Sequence, residues 1–263
     1  MRAFTSYLRR VRAKRIDLSK NAVYDVEEIV VVDQPVFIRV NGKVLGMLIA
    51  TPLQVKELAI GWLLTRGILK SPNDILEISL NGSFVDIKTS LKIDLSASAV
   101  DLSNHVHTTE EYVSEILKEL GNPFVKSNYM ISANMIMKMV EVLSMDAKIF
   151  KETGGTHCAA LFSDNKLVAF SEDAGRYNAV DKVIGAGVFL KTDFSKSVLI
   201  SSGRQNADMV MKVAMAGIPI LVSVSAPLLS GVITAERTGV TLICFARENR
   251  MNLYTYPERV HLS

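Results

Sequence analysis

The sequence predicts an α/β protein, with a three-layer α/β/α sandwich in the C-terminal part and a smaller α+β unit before it. Three observations predict this. Between Ser197 and Ala246, short apolar runs alternate with helical spacings, a period that suits parallel strands joined by right-handed crossovers. From Tyr24 to about Ser98 the chain is rich in β-branched runs punctuated by Asn-Gly turns. Between these parts, Cys158–Phe162 and Leu167–Phe170 flank the turn composition Ser163-Asp164-Asn165-Lys166, a β-hairpin that leads into helical spacing at Arg176.

In chain order, residues 1–20 form a basic arm with seven Arg and Lys: Arg2, Arg9, Arg10, Arg12, Lys14, Arg15 and Lys20. VRAKRIDLSK follows Arg9-Arg10 where a twin-arginine export signal would carry an apolar run, which rejects that signal; the arm could touch nucleotide or an acidic partner, and the preferred reading is a solvated, partly frayed terminus. Residues 21–105 form the small α+β domain. Asn41-Gly42 and Asn81-Gly82 turn two hairpins, and Thr51 caps a helix with Pro52 at its first position. Trp62 falls on the apolar face of that helix and reads as core. Residues 106–128 are a linker region with a helix at Glu110–Leu120. Residues 129–263 form the sandwich, opened by a methionine-rich helix over Ser132–Leu143 whose methionines read as core filler.

Composition narrows the function. At 263 residues the chain can bury a full core, and 49% hydrophobic with 22% charged residues is ordinary for a globular protein. A net charge of +3 gives no reason to expect DNA or RNA, and no apolar run reaches the length of a membrane span. Two cysteines, Cys158 and Cys244, exclude a disulfide framework and a four-cysteine metal site, and they suit a reducing cytoplasm. His105 and His107 lack a nearby third ligand and read as surface histidines.

In open α/β sheets, ligands bind beyond the carboxyl ends of the strands. That rule selects four junctions: Glu172–Arg176, Ser201–Asn206, Ser225–Pro227 and Phe245–Arg250. They hold Arg176, Arg204, Arg247 and Arg250 together with Ser201, Ser202, Ser225 and helix N-termini, a set that suits phosphate or pyrophosphate. The bland alternative is a set of helix caps and surface arginines. Gly154 and Gly155 could let backbone approach a ligand beside His157. Asp173 with Arg176, and Asp181 with Lys182, could be acid–base pairs or plain salt links. No phosphate-loop or dinucleotide glycine motif is present.

TGGTHCAAL, SEDAGRYNAVDKVIG, the SSGR turn, GIPILVSVSAP and LICFARENR…YTYPERV resemble the formate dehydrogenase accessory protein family, the FdhD-type sulfur carriers. VNGKVLGMLIATPLQVKELAIGWLLTRGIL looks like that family's first domain. The resemblance implies a cytidine-deaminase-like second domain, a cytoplasmic homodimer, and maturation of formate dehydrogenase. It implies transfer of sulfur from a cysteine desulfurase to bis-molybdopterin guanine dinucleotide, the bound cargo, which maps to Phe245, Ala246, Arg247, Glu248, Asn249 and Arg250. The family's Cys-Gly-x-Cys-Gly persulfide segment has no counterpart, because His105–Met135 contains no cysteine. The alternative is a non-catalytic cofactor chaperone, with Cys158 the one thiol placed beside a histidine. A paralogue that binds another nucleotide is a third reading. Deaminase chemistry and its zinc are not expected, because the His-x-Glu element and the paired cysteines are missing.

Overall fold

The structure, a computed structural model, describes residues 6–91 and 107–262. The first element departs from the sequence reading. β1 (Leu8–Asp17) is no frayed arm but pairs antiparallel with β2 (Ala22–Val31) over ten residue pairs. Basic β1 lies against acidic β2, and Arg10–Glu27, Lys14–Asp25 and Arg15–Glu28 form ion pairs across the ribbon. The ribbon ends on the body of the protein, where Val31 fills the space beside Gly155 that a Cβ would need.

Next comes a four-stranded mixed sheet of β3 (Gln34–Val40), β4 (Lys43–Ala50), β5 (Ile75–Asn81) and β6 (Phe84–Thr89), in the order β4-β3-β6-β5. Asn41 and Gly42, both at positive φ, turn the β3–β4 hairpin. One face of this sheet buries Val36, Ile38, Val85 and Ile87 against α1 (Val55–Thr65), which contributes Leu58, Ile60 and Leu63 and a buried Trp62.

Thr51 does not cap α1. Its backbone N–H donates to Asp173 Oδ2 (3.1 Å) and its hydroxyl accepts from Ala174 N (3.1 Å), so the helix starts only at Val55. A carboxylate 122 residues away in sequence has taken the residue that local propensity offered as a cap.

The C-terminal part is built on a six-stranded sheet. Its strands are β8 (His157–Ser163), β9 (Lys166–Asp173), β10 (Ser197–Ser201), β11 (Ile220–Ser223), β12 (Thr241–Arg247) and β13 (Arg250–Leu253), ordered β13-β12-β11-β10-β8-β9. β10, β11 and β12 run parallel, and β8, β9 and β13 join by antiparallel pairing.

Helices cover both faces. α3 (Ala133–Asp146) packs on Ala160, Ile200, Val222 and Ile243. α5 (Arg176–Phe189), α6 (Ala207–Met215) and α7 (Leu229–Thr238) pack on Leu161, Leu199, Leu221 and Leu242. Successive residues of one strand thus serve opposite layers, the period-2 alternation of a sheet buried on both sides. α2 (Thr109–Glu119) buries Val113 and Leu117 against Ala207 and Met211 of α6. The short α4 (Lys148–Thr153) precedes β8, and a small pair joins β7 (Ile131–Ser132) to β14 (Val260–His261).

α1 and α5 bring the two parts together backbone to backbone. A Cβ on Gly61 would lie 1.8 Å from the Asp181 carbonyl oxygen, and one on Gly185 would lie 1.9 Å from that of Glu57. Among the described residues no helix is long and apolar enough to cross a membrane.

Candidate functional site

Topology assembles one rim. The parallel strands β10, β11 and β12 end on it, at Ser201, Ser223 and Arg247. β8 runs against β10 and therefore starts there, at His157, while β9 runs against β8 and ends there, at Asp173. All four junctions chosen from the sequence therefore follow strand ends on this edge. Arg204, Arg247, Glu248, Asn249 and Arg250 are exposed, and Arg176, Ser202 and Ser225 are half-buried. The Phe245–Arg250 segment is a hairpin between β12 and β13, turned by Glu248 and Asn249 at positive φ and bulged at Phe245 and Ala246. Arg250 reaches Glu248 at 3.6 Å in solvent.

From the middle of the rim to its β9 end the side chains are interlocked. Ser202 Oγ accepts from Cys158 N (2.9 Å) and lies 3.2 Å from His157 Nδ1. Ser201 and Ser223 are buried and shape the turn between them. Ser201 Oγ accepts from Gly203 N, and Ser223 Oγ donates to Gly203 O and accepts from Ser225 N. Arg176 lays its aliphatic stem on Gly203, where a Cβ would stand 3.0 Å from it. Its guanidinium sits 4.5 Å from the centre of the Tyr177 ring and donates to the Tyr177 hydroxyl (3.0 Å). That hydroxyl also accepts from Asn206 Nδ2 (2.8 Å).

Tyr177 and Ser223 were not selected from the sequence, and Asn206 only as the last residue of a junction. The available signals were Tyr177 in the first helical turn after Arg176, and Asn206 as the cap of α6.

Asp173 belongs to the scaffold rather than to a ligand surface. It is fully buried, 2.6 Å from the equally buried Lys182, and it also accepts from Thr51 N, Gly175 N and Asn178 Nδ2. No oxygen is left to face a ligand. The pairings read from neighbouring positions are likewise replaced. Asp173 binds Lys182 rather than Arg176, and Asp181 binds Lys212 (2.7 Å) and Thr65 (2.9 Å) rather than Lys182. Asp181 and Lys182 are consecutive in α5 and point about 100° apart, so they face different partners, while Asp173, at the end of β9, meets Lys182 across the strand–helix junction. Gly154 and Gly155 also have local duties: Gly154 caps α4 at positive φ, and Gly155 admits Val31.

Burial lowers the His157 pKa below the ordinary imidazole value. Arg176 lowers it further and Asp173 partly offsets this. Cys158 is 4% exposed and its thiol is pushed up to about 12, chiefly by burial and then by Glu172. Cys244 is fully buried, and burial pushes its thiol up to about 12 as well. These are the chain's two cysteines, and burial favours the protonated thiol at both.

A hollow of about 440 Å³ opens between the starts of α2 and α7, lined by His107, Thr109, Tyr112, Leu228 and Ser230. It abuts the rim through Asp208, which Tyr112 reaches at 3.5 Å, and Asn206. None of the four selected arginines lines it. His107 is exposed at its edge, and His105 lies outside the described residues. Among the described residues no group of three or more His, Cys, Asp or Glu side chains is placed to hold a metal ion.

Residues 31–261 match the FdhD/NarQ family. The chain belongs to the FdhD/NarQ family. Similar FdhD/NarQ proteins include the sulfur carrier protein FdhD of Methanothermobacter thermautotrophicus, 36% identical over 97% of this chain and 99% of the relative. The protein of the same name from Wolinella succinogenes is 30% identical over 100% of this chain and 92% of the relative. Among solved structures, a formate dehydrogenase accessory protein from Desulfotalea psychrophila superposes with a TM-score of 0.81 at 25% identity, covering 97% of this chain and 100% of that one. The FdhD/NarQ match spans both the four-stranded sheet and the six-stranded sheet, so the rim and the α1–α5 seam lie inside it.

Proposed function

We propose that this chain serves formate dehydrogenase maturation by holding bis-molybdopterin guanine dinucleotide on the rim of the six-stranded sheet. One observation carries the reading. In a chain of the FdhD/NarQ family, cationic and hydroxyl residues follow four strand ends along the edge where open sheets bind ligands. The hairpin Phe245–Arg250 supplies exposed arginines, and the turn at Ser202–Arg204 supplies a hydroxyl and a further arginine. The related reading of the C-terminal unit as cytidine-deaminase-like is supported by its helix–sheet–helix layering and by its strand order. A cytoplasmic homodimer that works with a cysteine desulfurase completes the proposal.

The buried thiols favour the chaperone form of this function. Sulfur transfer needs a thiolate that a donor can reach, and Cys158 and Cys244 are both buried with their thiols pushed up to about 12. Sulfur then reaches the held cargo directly from a partner's persulfide.

Calorimetric titration with GDP, ADP and CMP tests the binding. Saturable binding that favours GDP is expected, and equal or absent binding of GDP overturns the guanine-nucleotide reading. Persulfide labelling after incubation with a desulfurase tests the sulfur route. An unlabelled chain is expected, and label on Cys158 would restore the carrier reading.

A further inference from the structure

The rim is too long for one phosphate to explain both of its cationic ends. Strands lie about 4.8 Å apart, and the Arg176 stem lies on Gly203 just past the end of β10, so two intervals, roughly 10 Å, separate it from the end of β12. Arg176, at the start of α5 beside the end of β9, and the hairpin arginines beyond β12 therefore face different parts of any ligand.

We propose that Arg176, His157 and Ser202 form a phosphate subsite of their own, which holds a diphosphate without help from the Phe245–Arg250 hairpin. This rests on the reading of the rim as a nucleotide-cargo site.

Three features carry it. Arg176 is held firmly, by Gly203 under its stem, the Tyr177 ring 4.5 Å from its guanidinium carbon, and the Tyr177 hydroxyl on Nη2. Its charge is uncompensated. Among the described residues no carboxylate pairs with it, and Nε is buried without a hydrogen-bond partner. A guanidinium fixed in place with donors to spare binds phosphate at little ordering cost.

The neighbours are of the right kind. His157 is close enough to feel the Arg176 charge, and its Nδ1 touches Ser202 Oγ, which is anchored by Cys158 N. The charged groups that act on His157 are Arg176 on α5 and Asp173 at the end of β9, and Asp173 is already neutralised by Lys182. An anion arriving here meets the Arg176 charge, a hydroxyl and an imidazole; the exposed Asp208 carboxylate lies 3.4 Å from Asn206 Nδ2, the group that bonds the Tyr177 hydroxyl. At the other end Arg250 shares its charge with Glu248 in solvent. That end suits a nucleobase, which offers both donors and acceptors.

The test is calorimetry on the full chain with inorganic pyrophosphate, followed by GDP, for the wild type and for Arg176→Lys, Arg176→Ala and Arg250→Ala. Arg176→Lys keeps the charge and a long stem while removing the planar fork, so it reports on binding even if the alanine variant fails to fold. Pyrophosphate is expected to bind the wild type and to weaken by about tenfold or more in Arg176→Lys, with a change of less than about twofold in Arg250→Ala.

No pyrophosphate binding, or equal sensitivity to Arg176→Lys and Arg250→Ala, overturns the subsite. If pyrophosphate depends on Arg176 but GDP binds no better than ADP, the subsite stands and the guanine-nucleotide reading falls. If GDP binds and ignores Arg176, the cargo reading stands and the subsite falls.

Discussion

The two ends of the rim are built differently. At the β9–α5 end, Asp173 and Lys182 are sealed in a buried pair that also holds Thr51, and glycines let α1 and α5 touch through their backbones. At the β12–β13 end, the hairpin tip Arg247–Arg250 stands in solvent, while Ala246 is buried in the core and Phe245, at positive φ, packs against it. One end is therefore packed and bonded to the N-terminal part, and the other presents its arginines to solvent. A site that grips phosphate at its fixed end and reads a base at its open end would be arranged this way.

The comparison can be broken most forcefully at the fixed end. Lys182→Met should leave Asp173 buried without its countercharge and cost about 3–5 kcal/mol in urea unfolding. A loss under about 1 kcal/mol would mean that Asp173 gives up its charge cheaply or that water reaches it. Gly61→Ala should cost about 3 kcal/mol, because its Cβ would meet the Asp181 carbonyl at 1.8 Å and force α1 off α5. A melting temperature equal to wild type would show that the seam is loose.

At the open end the sign of the comparison reverses. Arg250→Ala should change stability by less than about 0.5 kcal/mol. It should weaken GDP binding by about 1–3 kcal/mol if the guanidinium makes a charge-assisted contact. An unchanged dissociation constant removes Arg250 from the site.

The smallest effect is a pH dependence at the boundary between the ends. The folded pKa of His157 lies below its unfolded value. As pH falls through about 6.5, the unfolded chain takes up the proton first and stability drops, until the folded value is passed. His157→Asn should flatten the decline in melting temperature between about pH 7 and pH 5. A decline unchanged by the substitution would assign it to other groups.

Local chemistry made much of the fold legible. The Asn41-Gly42 and Asn81-Gly82 hairpins, the 158–170 hairpin and the strand–helix alternation from Ser197 onward all appear where turn residues and periodicity put them. Interactions between distant residues were not legible. The β1–β2 ribbon depends on charges that complement each other only once the strands pair. The α1 start depends on a carboxylate in the other sheet. β13 was missed because Arg250-Met251-Asn252 is too polar to read as a strand, and only its pairing with β12 makes it one. At the candidate site, Arg176, His157 and Ser202 could be named from strand ends. The Tyr177–Asn206 bond that holds the arginine in place spans 29 residues and leaves no local signature.

The most direct measurement of the central claim is the nucleotide content of the protein purified from cells that make the guanylated molybdenum cofactor. Denaturation and chromatography should release GMP-containing pterin in stoichiometric amount from the wild type, and much less from a chain carrying both Arg176→Lys and Arg250→Ala. A folded wild-type protein that releases no guanine nucleotide from such cells would contradict the account.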